Sequence, residues 1–186
     1  MNPVIEYNEG LHIKDSSVWI DSKEPQDVCC VSHGHIDHLG SHSTIISSPT
    51  TARIYERRMH PVSSVTLQYG QTYELGNASL CMYPAGHILG SSQFLVGFEG
   101  TRILFSGDIN VKGSITAEPI EIPHADILVM EATYGDPRYV FPDRDYVVAQ
   151  LCSLIDNTLK EEGIPVVVAY SLGKGQEIAK ILGDKD

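Results

Sequence analysis

The stretch VSHGHIDHLG, residues 31–40, concentrates potential metal ligands more densely than any other part of this sequence. Three histidines (His33, His35 and His38) and Asp37 follow the short apolar run DVCCVS. One residue separates His33 from His35 in a loop that leaves a predicted strand, so both imidazoles can turn to the same side, while Asp37 and His38 can face a second point nearby. Imidazole and carboxylate are the ligands of catalytic zinc sites that keep a position open for water. The cluster therefore predicts a metal site, against the alternative of solvated loop histidines.

Two further segments carry candidate ligands. PAGHILGSSQF holds His87 in a glycine-flanked loop between two predicted strands, and ILFSGD ends an apolar strand on Asp108. Taken alone, His87 could be a hydrogen-bonded loop histidine and Asp108 could cap a turn. Together with the first cluster, both are predicted ligands, and a carboxylate delivered at a strand tip can bridge two cations.

Composition bounds the class of protein. The chain has 186 residues, 42% of them hydrophobic and 20% charged, as expected for one globular domain over residues 1–186. The formal net charge of −11 is unusual for a nucleic-acid binder, which normally has a basic footprint. Bound divalent cations would reverse the local sign of the charge at one cleft, so this charge weakens a nucleic-acid function without excluding it.

Nothing in the sequence suggests a membrane or secreted protein. No apolar run approaches the roughly 18–20 residues of a membrane span, and the first ten residues lack the basic and apolar regions of a secretory signal. The cysteines show no CxxC spacing, so neither a disulfide framework nor a thiolate zinc site is indicated. We therefore expect a cytoplasmic protein with four reduced cysteines: Cys29, Cys30, Cys81 and Cys152.

The first half of the chain is predicted to be rich in β-strands. The segments QTYEL and ASLCMYPAG flank Gly76-Asn77, and QFLVGFE and TRILFSGD flank Glu99-Gly100, as in two hairpins. One helix is predicted after Ser48, a plausible N-cap that is followed by proline.

In the second half, strands and helices are predicted to alternate. ADILVME (125–131) and PVVVAY (165–170) are continuous apolar runs, typical of strands buried on both faces. A helix is predicted to begin after Asp143 with apolar residues along one face, and another to cover GKGQEIAKIL (173–182). The pattern favours a layered α/β protein with a large mixed sheet or two sheets.

The ordered set HxHxDH, then GH, then SGD at a strand end, resembles the metallo-β-lactamase superfamily. AGHILGSSQF, FSGD and MEATYG are similar to the β-CASP branch, whose nucleases process DNA and RNA. EATYGDP followed by AYSLGKGQEI is most similar to ligase-associated DNA exonucleases and to relatives of the mRNA 3′-end processing factors. The resemblance covers essentially the whole chain and implies an α/β fold, an αββα sandwich of two mixed β-sheets flanked by helices.

The resemblance also implies a ligand set and a cofactor. Two Zn²⁺ ions are expected, although Mn²⁺ or Fe can take the same ligands. One zinc would be held by three histidines, the second by an aspartate and a histidine, and one aspartate would bridge them: respectively His33, His35 and His87; Asp37 and His38; and Asp108.

The implied activity is that of a metallo-hydrolase, an exo- or endonuclease that cleaves phosphodiester bonds of DNA or RNA with a di-zinc-bound hydroxide. Asp37 is the candidate for steering the proton of the nucleophile. Glu131 matches the acidic residue that opens the β-CASP motif set and would support the site without binding metal. Its alternative role is that of a strand-end carboxylate meeting solvent.

The sequence departs from the family at its C-terminal end. A further histidine and two more β-CASP motifs are expected after the SLGKGQE segment, and none of His12, His42, His60 or His124 stands in a matching context. We therefore expect the N-terminal part of a longer enzyme, with the β-CASP cap beginning near the C-terminus.

Two alternatives to a nuclease remain open. One is hydrolysis of a small ester, thioester or lactam, and the other is an inactive metal-binding fragment completed by a partner. The expected partners are a nucleic-acid substrate, a second copy of the chain, or a repair or processing protein.

Overall fold

A computed structural model describes residues 4–183, which form two compact units: residues 4–131 and residues 132–183. Each unit is described by itself below. The expectation of a single catalytic domain over residues 1–186 stays a prediction.

The first unit contains two mixed β-sheets. Strands β3 to β6 run parallel in the first sheet and β10 pairs parallel with β11 in the second, while the other pairings are antiparallel. The prediction of two mixed sheets is confirmed. The first sheet has the order β1 (Ile5–Tyr7), β2 (Leu11–Ile13), β3 (Trp19–Ile20), β4 (Val28–Cys30), β5 (Thr44–Ser47) and β6 (Ser63–Thr66). The second has the order β11 (Ile127–Val129), β10 (Thr101–Phe105), β9 (Ser92–Phe98), β8 (Ala78–Pro84) and β7 (Thr72–Leu75).

The main hydrophobic core is built from both sheets. Strand β8 alternates buried and half-buried residues along its whole length, because successive side chains of a strand point to opposite faces. Its buried residues Leu80 and Met82 join Phe94 and Val96 of β9 in one cluster with Ile20 of the first sheet. The two inner faces therefore share a single core.

Helix α1 (Pro49–Arg58) packs against β5 and β6 on the other side of the first sheet. As predicted, Ser48 is its N-cap: the Ser48 hydroxyl accepts a hydrogen bond from the Thr51 N–H at 3.1 Å. Tyr55 of this helix is fully buried in a smaller apolar cluster with Val31 and Ile45.

Both predicted hairpins are present, each with a two-residue turn. Glu99 and Gly100 both adopt positive φ angles, 48° and 77°, as a type I′ turn requires. Gly76 opens the other turn with a φ of 62°. Left-handed backbone at these positions explains why glycine stands at each turn.

The second unit is helical in its regular structure. Helix α2 (Arg144–Lys160) begins after Asp143, whose carboxylate accepts two N–H hydrogen bonds of the first turn, and α3 (Lys174–Gly183) follows. Arg144 donates to Glu177 at 2.8 Å, which ties the two helices together. None of the described helices has the length and hydropathy that a membrane crossing needs.

Two strand predictions need correction. β11 is present, but it is not buried on both faces, since Leu128 is 56% exposed. Residues 165–170 form no strand, and Val166 and Val168 are 80% and 92% exposed. The physical reason is the lack of a pairing partner, because the described part of the second unit offers no other strand to complete a hydrogen-bonded ladder.

Candidate metal centre

The first sheet delivers one group of polar side chains at a single edge. β3 and β4 pair in parallel, so the residues that follow them emerge at the same end of the sheet. Asp21 directly follows β3, and His33 follows β4 after two buried residues. Asp37 and His38 then lie in a single 3₁₀ turn, Ile36–His38.

The second sheet delivers the other group in the same manner. β8 and β10 are both antiparallel to β9, so they run in the same direction, and β11 runs parallel to β10. His87 follows β8, Asp108 follows β10, and Glu131 follows β11. All three come after the carboxyl ends of their strands.

A close backbone approach joins the two edges. The Ser92 N–H donates to the Ser32 carbonyl at 2.8 Å, which links β9 to the loop after β4. Gly107 adopts a φ of 53°, and a Cβ atom there would lie 3.0 Å from the Ser32 Cβ. Because any side chain at 107 would crowd this contact, the glycine of SGD lets Asp108 approach the histidine loop.

The His87 loop is fastened to helix α1. The Gly90 carbonyl accepts hydrogen bonds from the hydroxyls of Ser48 and Thr51 at 2.6 and 2.9 Å. Within the loop, the Ser91 hydroxyl accepts from the His87 N–H at 3.2 Å. The helix N-terminus thus holds the turn that presents His87.

Four ligand atoms converge, from His33, His35, His87 and Asp108, and they lie within 4.8 Å of one another. His35 Nδ1 is 3.1 Å from His33 Nε2 and 3.2 Å from His87 Nε2. Asp108 Oδ2 is 3.7 Å from His33 Nε2 and 3.5 Å from His87 Nε2. Ligands bound tetrahedrally to zinc at about 2.1 Å would be about 3.4 Å apart, so this arrangement fits a metal ion.

Asp37 and His38 lie beside this cluster. His38 Nε2 is 3.5 Å from Asp108 Oδ1 and 3.9 Å from Asp37 Oδ2. The two Asp108 oxygens therefore face different groups: Oδ2 faces His33 and His87, and Oδ1 faces His38. This is the geometry of a carboxylate able to bridge two cations.

Asp21 and Ser32 set the orientation of two of the histidines. The Ser32 hydroxyl donates to Asp21 Oδ2 at 2.5 Å and lies 3.0 Å from His33 Nδ1. Since that hydroxyl has one hydrogen, it accepts from a protonated Nδ1, and the Nε2 lone pair of His33 is free to face the cluster. His38 Nδ1 lies 2.8 Å from the same Asp21 oxygen, which directs its Nε2 inward as well.

The electrostatics of the site favour metal-binding protonation states at His33. Burial, followed by the nearby histidines, lowers the pKa of His33 well below its ordinary value, so its imidazole is neutral. At His38, burial lowers the pKa, but the hydrogen bond to Asp21 and the surrounding carboxylates outweigh it, and the pKa is raised. Burial, together with Glu131 and Asp37, raises the pKa of Asp108.

Glu131 contacts the loop that carries Asp108. Its Oε1 accepts the Ile109 N–H at 2.9 Å, and its own N–H donates to the Ser106 hydroxyl at 3.2 Å. The side chain is half-buried. These bonds flank Asp108 on both sides and hold the end of β10 against the end of β11.

The remaining histidines lie outside the cluster formed by the described residues. His12 stacks on Trp19 with ring centroids 4.1 Å apart, and His124 lies 2.7 Å from the Arg102 guanidinium. His42 is buried beside Tyr55. His60 is exposed; its Nδ1 lies 3.1 Å from the Pro61 carbonyl, and its ring meets that of Tyr55 edge-on.

Asp21 and Ser32 were not predicted from the sequence. WIDS, the segment that contains Asp21, matches none of the motifs quoted above, and Ser32 is the last residue of the predicted strand DVCCVS. The available signal was positional: an aspartate at the end of a strand next to the strand that leads into HGHIDH.

Comparisons with known proteins show where this architecture occurs. The chain is 36% identical to "Probable DNA ligase" of Opitutus terrae over 177 residues, 94% of this chain and 17% of that protein. It is 29% identical to "RNase J-like protein" of Methanocaldococcus jannaschii, covering 85% of this chain and 44% of that protein. With "Cleavage and polyadenylation specificity factor 73" of Drosophila melanogaster it shares 24% identity, over 94% of this chain and 31% of that protein.

The relatives are longer proteins, and one solved structure has a similar fold. The chain spans less than half the length of each of these curated relatives. No protein-family profile matches it. A crystal structure of a protein of unknown function from Enterococcus faecalis superposes with a TM-score of 0.50 over 70% of this chain and 39% of that one, at 17% identity, which speaks to the fold alone.

The sequence motifs, the positions of the strand ends and the relatives all indicate the same set of residues. The residues that carry the resemblance, from HGHIDH to SGD, are the residues that the fold brings to one edge. Over most of its length the chain is similar to curated nucleases of the β-CASP branch of the metallo-β-lactamase superfamily.

Proposed function

We propose that the chain carries the metal centre of a nuclease that hydrolyses phosphodiester bonds of DNA or RNA. The observation that carries this proposal is the convergence of His33, His35, His87 and Asp108 from three separate segments onto one point. Relatives named as an RNase J-like protein and as a cleavage and polyadenylation specificity factor support the choice of a nucleic-acid substrate.

We assign the ligands as two sets that share one carboxylate. Bound there, a pair of divalent cations, Zn²⁺ or alternatively Mn²⁺ or Fe, would polarise a phosphate oxygen and lower the pKa of a water molecule toward about 7. The first set is His33, His35 and His87, the second is Asp37 and His38, and the shared carboxylate is Asp108.

The chain's own side chains supply orientation and proton transfer. Asp37 is the most exposed of the proposed ligands, with its side chain 75% exposed, so its carboxylate can orient a water and accept a proton from it. Glu131 holds the backbone after Asp108, and Asp21 holds His38 and, through Ser32, His33. These contacts keep the ligand atoms in place before any ion is bound.

The charge of the chain fits this assignment. With a formal net charge of −11, the protein would repel a polyphosphate at most of its surface. Two divalent cations at the cluster would create a local positive site, so binding would centre on the scissile phosphate.

We further propose a cytoplasmic location and a partner engaged in nucleic-acid repair or processing, or a second copy of the chain. Four free cysteines support a reducing compartment. The relative named as a probable DNA ligase supports a repair partner.

The first experiment is metal analysis of the purified chain beside hydrolysis of labelled single-stranded DNA and RNA of one sequence. We expect about two metal ions per chain and cleavage of at least one polymer. The control is the same preparation stripped with a chelator, and then reloaded with Zn²⁺ or Mn²⁺.

Two outcomes would contradict the proposal. Metal binding with turnover of a thioester or lactam, and none of nucleic acid, would establish the small-substrate hydrolase instead. No metal and no turnover of either kind would indicate a fragment that needs a partner for activity.

A further inference from the structure

A cavity of about 330 Å³ lies beside the metal centre in the first unit. Its polar wall is formed by Asp21, Asp37 and His38, so it is continuous with the proposed second set of ligands. A volume near the lower end of small-molecule pockets, about 300–1,000 Å³, suits one nucleotide-sized group.

The cavity also has apolar and aromatic lining. Leu11 and Phe105 contribute to it, and so does Tyr7, the last residue of β1. The Tyr7 side chain is 83% exposed, the highest value among the tyrosines found exposed. An aromatic ring held at a strand end with an open face is a surface on which a nucleobase can stack.

Apart from the proposed metal ligands, the side chains of this cavity offer no cation for a phosphate. Among the described residues that line it, none is lysine or arginine, while Asp21 and Asp37 are carboxylates. Like charges at short distance repel, so the anionic part of a nucleotide belongs at the metal ions. The base, which is neutral, is the part of a nucleotide that suits this cavity.

We propose that this cavity is the subsite for the nucleobase next to the scissile phosphate, with Tyr7 as its stacking surface. This inference rests on the proposed nuclease function and deepens it, because it assigns the residue that would contact the base beside the scissile phosphate.

The test compares binding of AMP and ribose 5-phosphate to the zinc-loaded full chain by isothermal titration calorimetry. Both probes carry the phosphate, so their affinity ratio isolates the base. We expect AMP to bind about tenfold more tightly, as one base stacked on an aromatic ring would give. The same ratio is expected for Tyr7→Phe, whereas Tyr7→Ala should bring it close to one.

A matched control is Tyr170→Ala, which removes a tyrosine 78% exposed in the other unit and should leave the ratio unchanged. Equal binding of both probes by the unmodified chain, or an unchanged ratio in Tyr7→Ala, would overturn the subsite. Failure of AMP to bind would do the same.

Hydrolysis of single-stranded DNA and RNA is measured in parallel. Cleavage without any base-dependent ratio would reject the subsite and leave the nuclease standing. A base-dependent ratio that Tyr7→Ala abolishes, without cleavage, would support the subsite and reject the nuclease.

Discussion

The two units of this chain differ in how far their apolar side chains are buried. In the first unit, residues of both sheets close around one core, and side chains such as Phe94 are fully buried. In the second, neither helix has a buried residue, and Leu154 and Val168 are 66% and 92% exposed. The proposed ligands all belong to the unit with the closed core, which suggests that packing there holds the metal-binding geometry.

The largest expected effect comes from removing one of the proposed metal ligands. His35→Ala or Asp108→Ala removes a ligand of the proposed site, and we expect hydrolysis to fall to background and bound metal to decrease, with the fold retained because both side chains lie outside the core. Metal analysis, the hydrolysis assay and far-UV circular dichroism check this. His60→Ala, an exposed histidine away from the cluster, is the control. Full metal content in both ligand variants would refute the assignment.

A second prediction compares a buried residue of the first unit with an exposed residue of the second. Phe94→Ala should lower the free energy of unfolding by about 3–5 kcal/mol, because it opens a cavity in a packed core. Leu154→Ala should change it by less than about 0.5 kcal/mol, as surface substitutions usually do. Urea unfolding followed by Trp19 fluorescence and by circular dichroism measures both. A large loss for Leu154→Ala would mean that the face of α2 is covered in solution.

A third prediction sharpens the role of contacts around the site. Asp21→Asn removes the charge that orients His38 and Ser32, and should weaken metal affinity by about 10–100-fold. Asparagine is the suitable replacement because Asp21 has a φ of 48°, which asparagine tolerates. Competition with a chromophoric chelator gives the affinity. Asp27→Asn, an exposed aspartate before β4, is the control, and equal affinities in the two variants would contradict the prediction.

The smallest expected effect is a pH dependence of the free energy of unfolding, which arises from His42 in the first unit. Burial lowers the pKa of His42, whose Nδ1 accepts the Gln26 N–H at 3.3 Å, so the folded state favours the neutral ring. As the pH falls, His42 is therefore protonated in the unfolded state before it is protonated in the folded state. Its contribution to the free energy of unfolding is complete above its unfolded pKa of about 6.5. That contribution is lost as the pH falls through the lower pKa of the folded state.

The comparison for this effect is His42→Asn, which keeps an acceptor toward Gln26 and does not titrate. Between about pH 7.5 and about pH 5.5, the metal-free variant should lose less stability than the metal-free original chain, measured by urea unfolding. An identical loss in the two proteins would exclude His42 as a contributor.

Local patterns in the sequence were sufficient for much of the first unit. The serine N-cap of α1, the proline that follows it and the two glycine-containing hairpin turns each specify structure through nearest neighbours, and each prediction was confirmed. The second unit was harder, because an apolar run such as 165–170 becomes a strand only where another strand pairs with it.

The candidate site also combines features set by local sequence with features that depend on distant segments. The candidate ligands could be predicted from HGHIDH, GH and SGD, since these motifs hold their donor side chains within a few residues. Asp21 was not readable, because its partners His38 and Ser32 lie 17 and 11 positions away and the pairing of β3 with β4 brings them together. The cavity at Tyr7 likewise exists only once β1, β3 and the 3₁₀ turn are assembled.

The meeting of His35 with His87, 52 positions apart along the chain, has a thermodynamic consequence. An ion held by both would act as a cross-link that closes a long loop and restricts the unfolded chain. Since such an ion binds the folded state preferentially, saturation at 100 times the dissociation constant would add about 2.7 kcal/mol to stability. Metal supply would then govern the lifetime of the protein against proteolysis as well as its turnover of substrate.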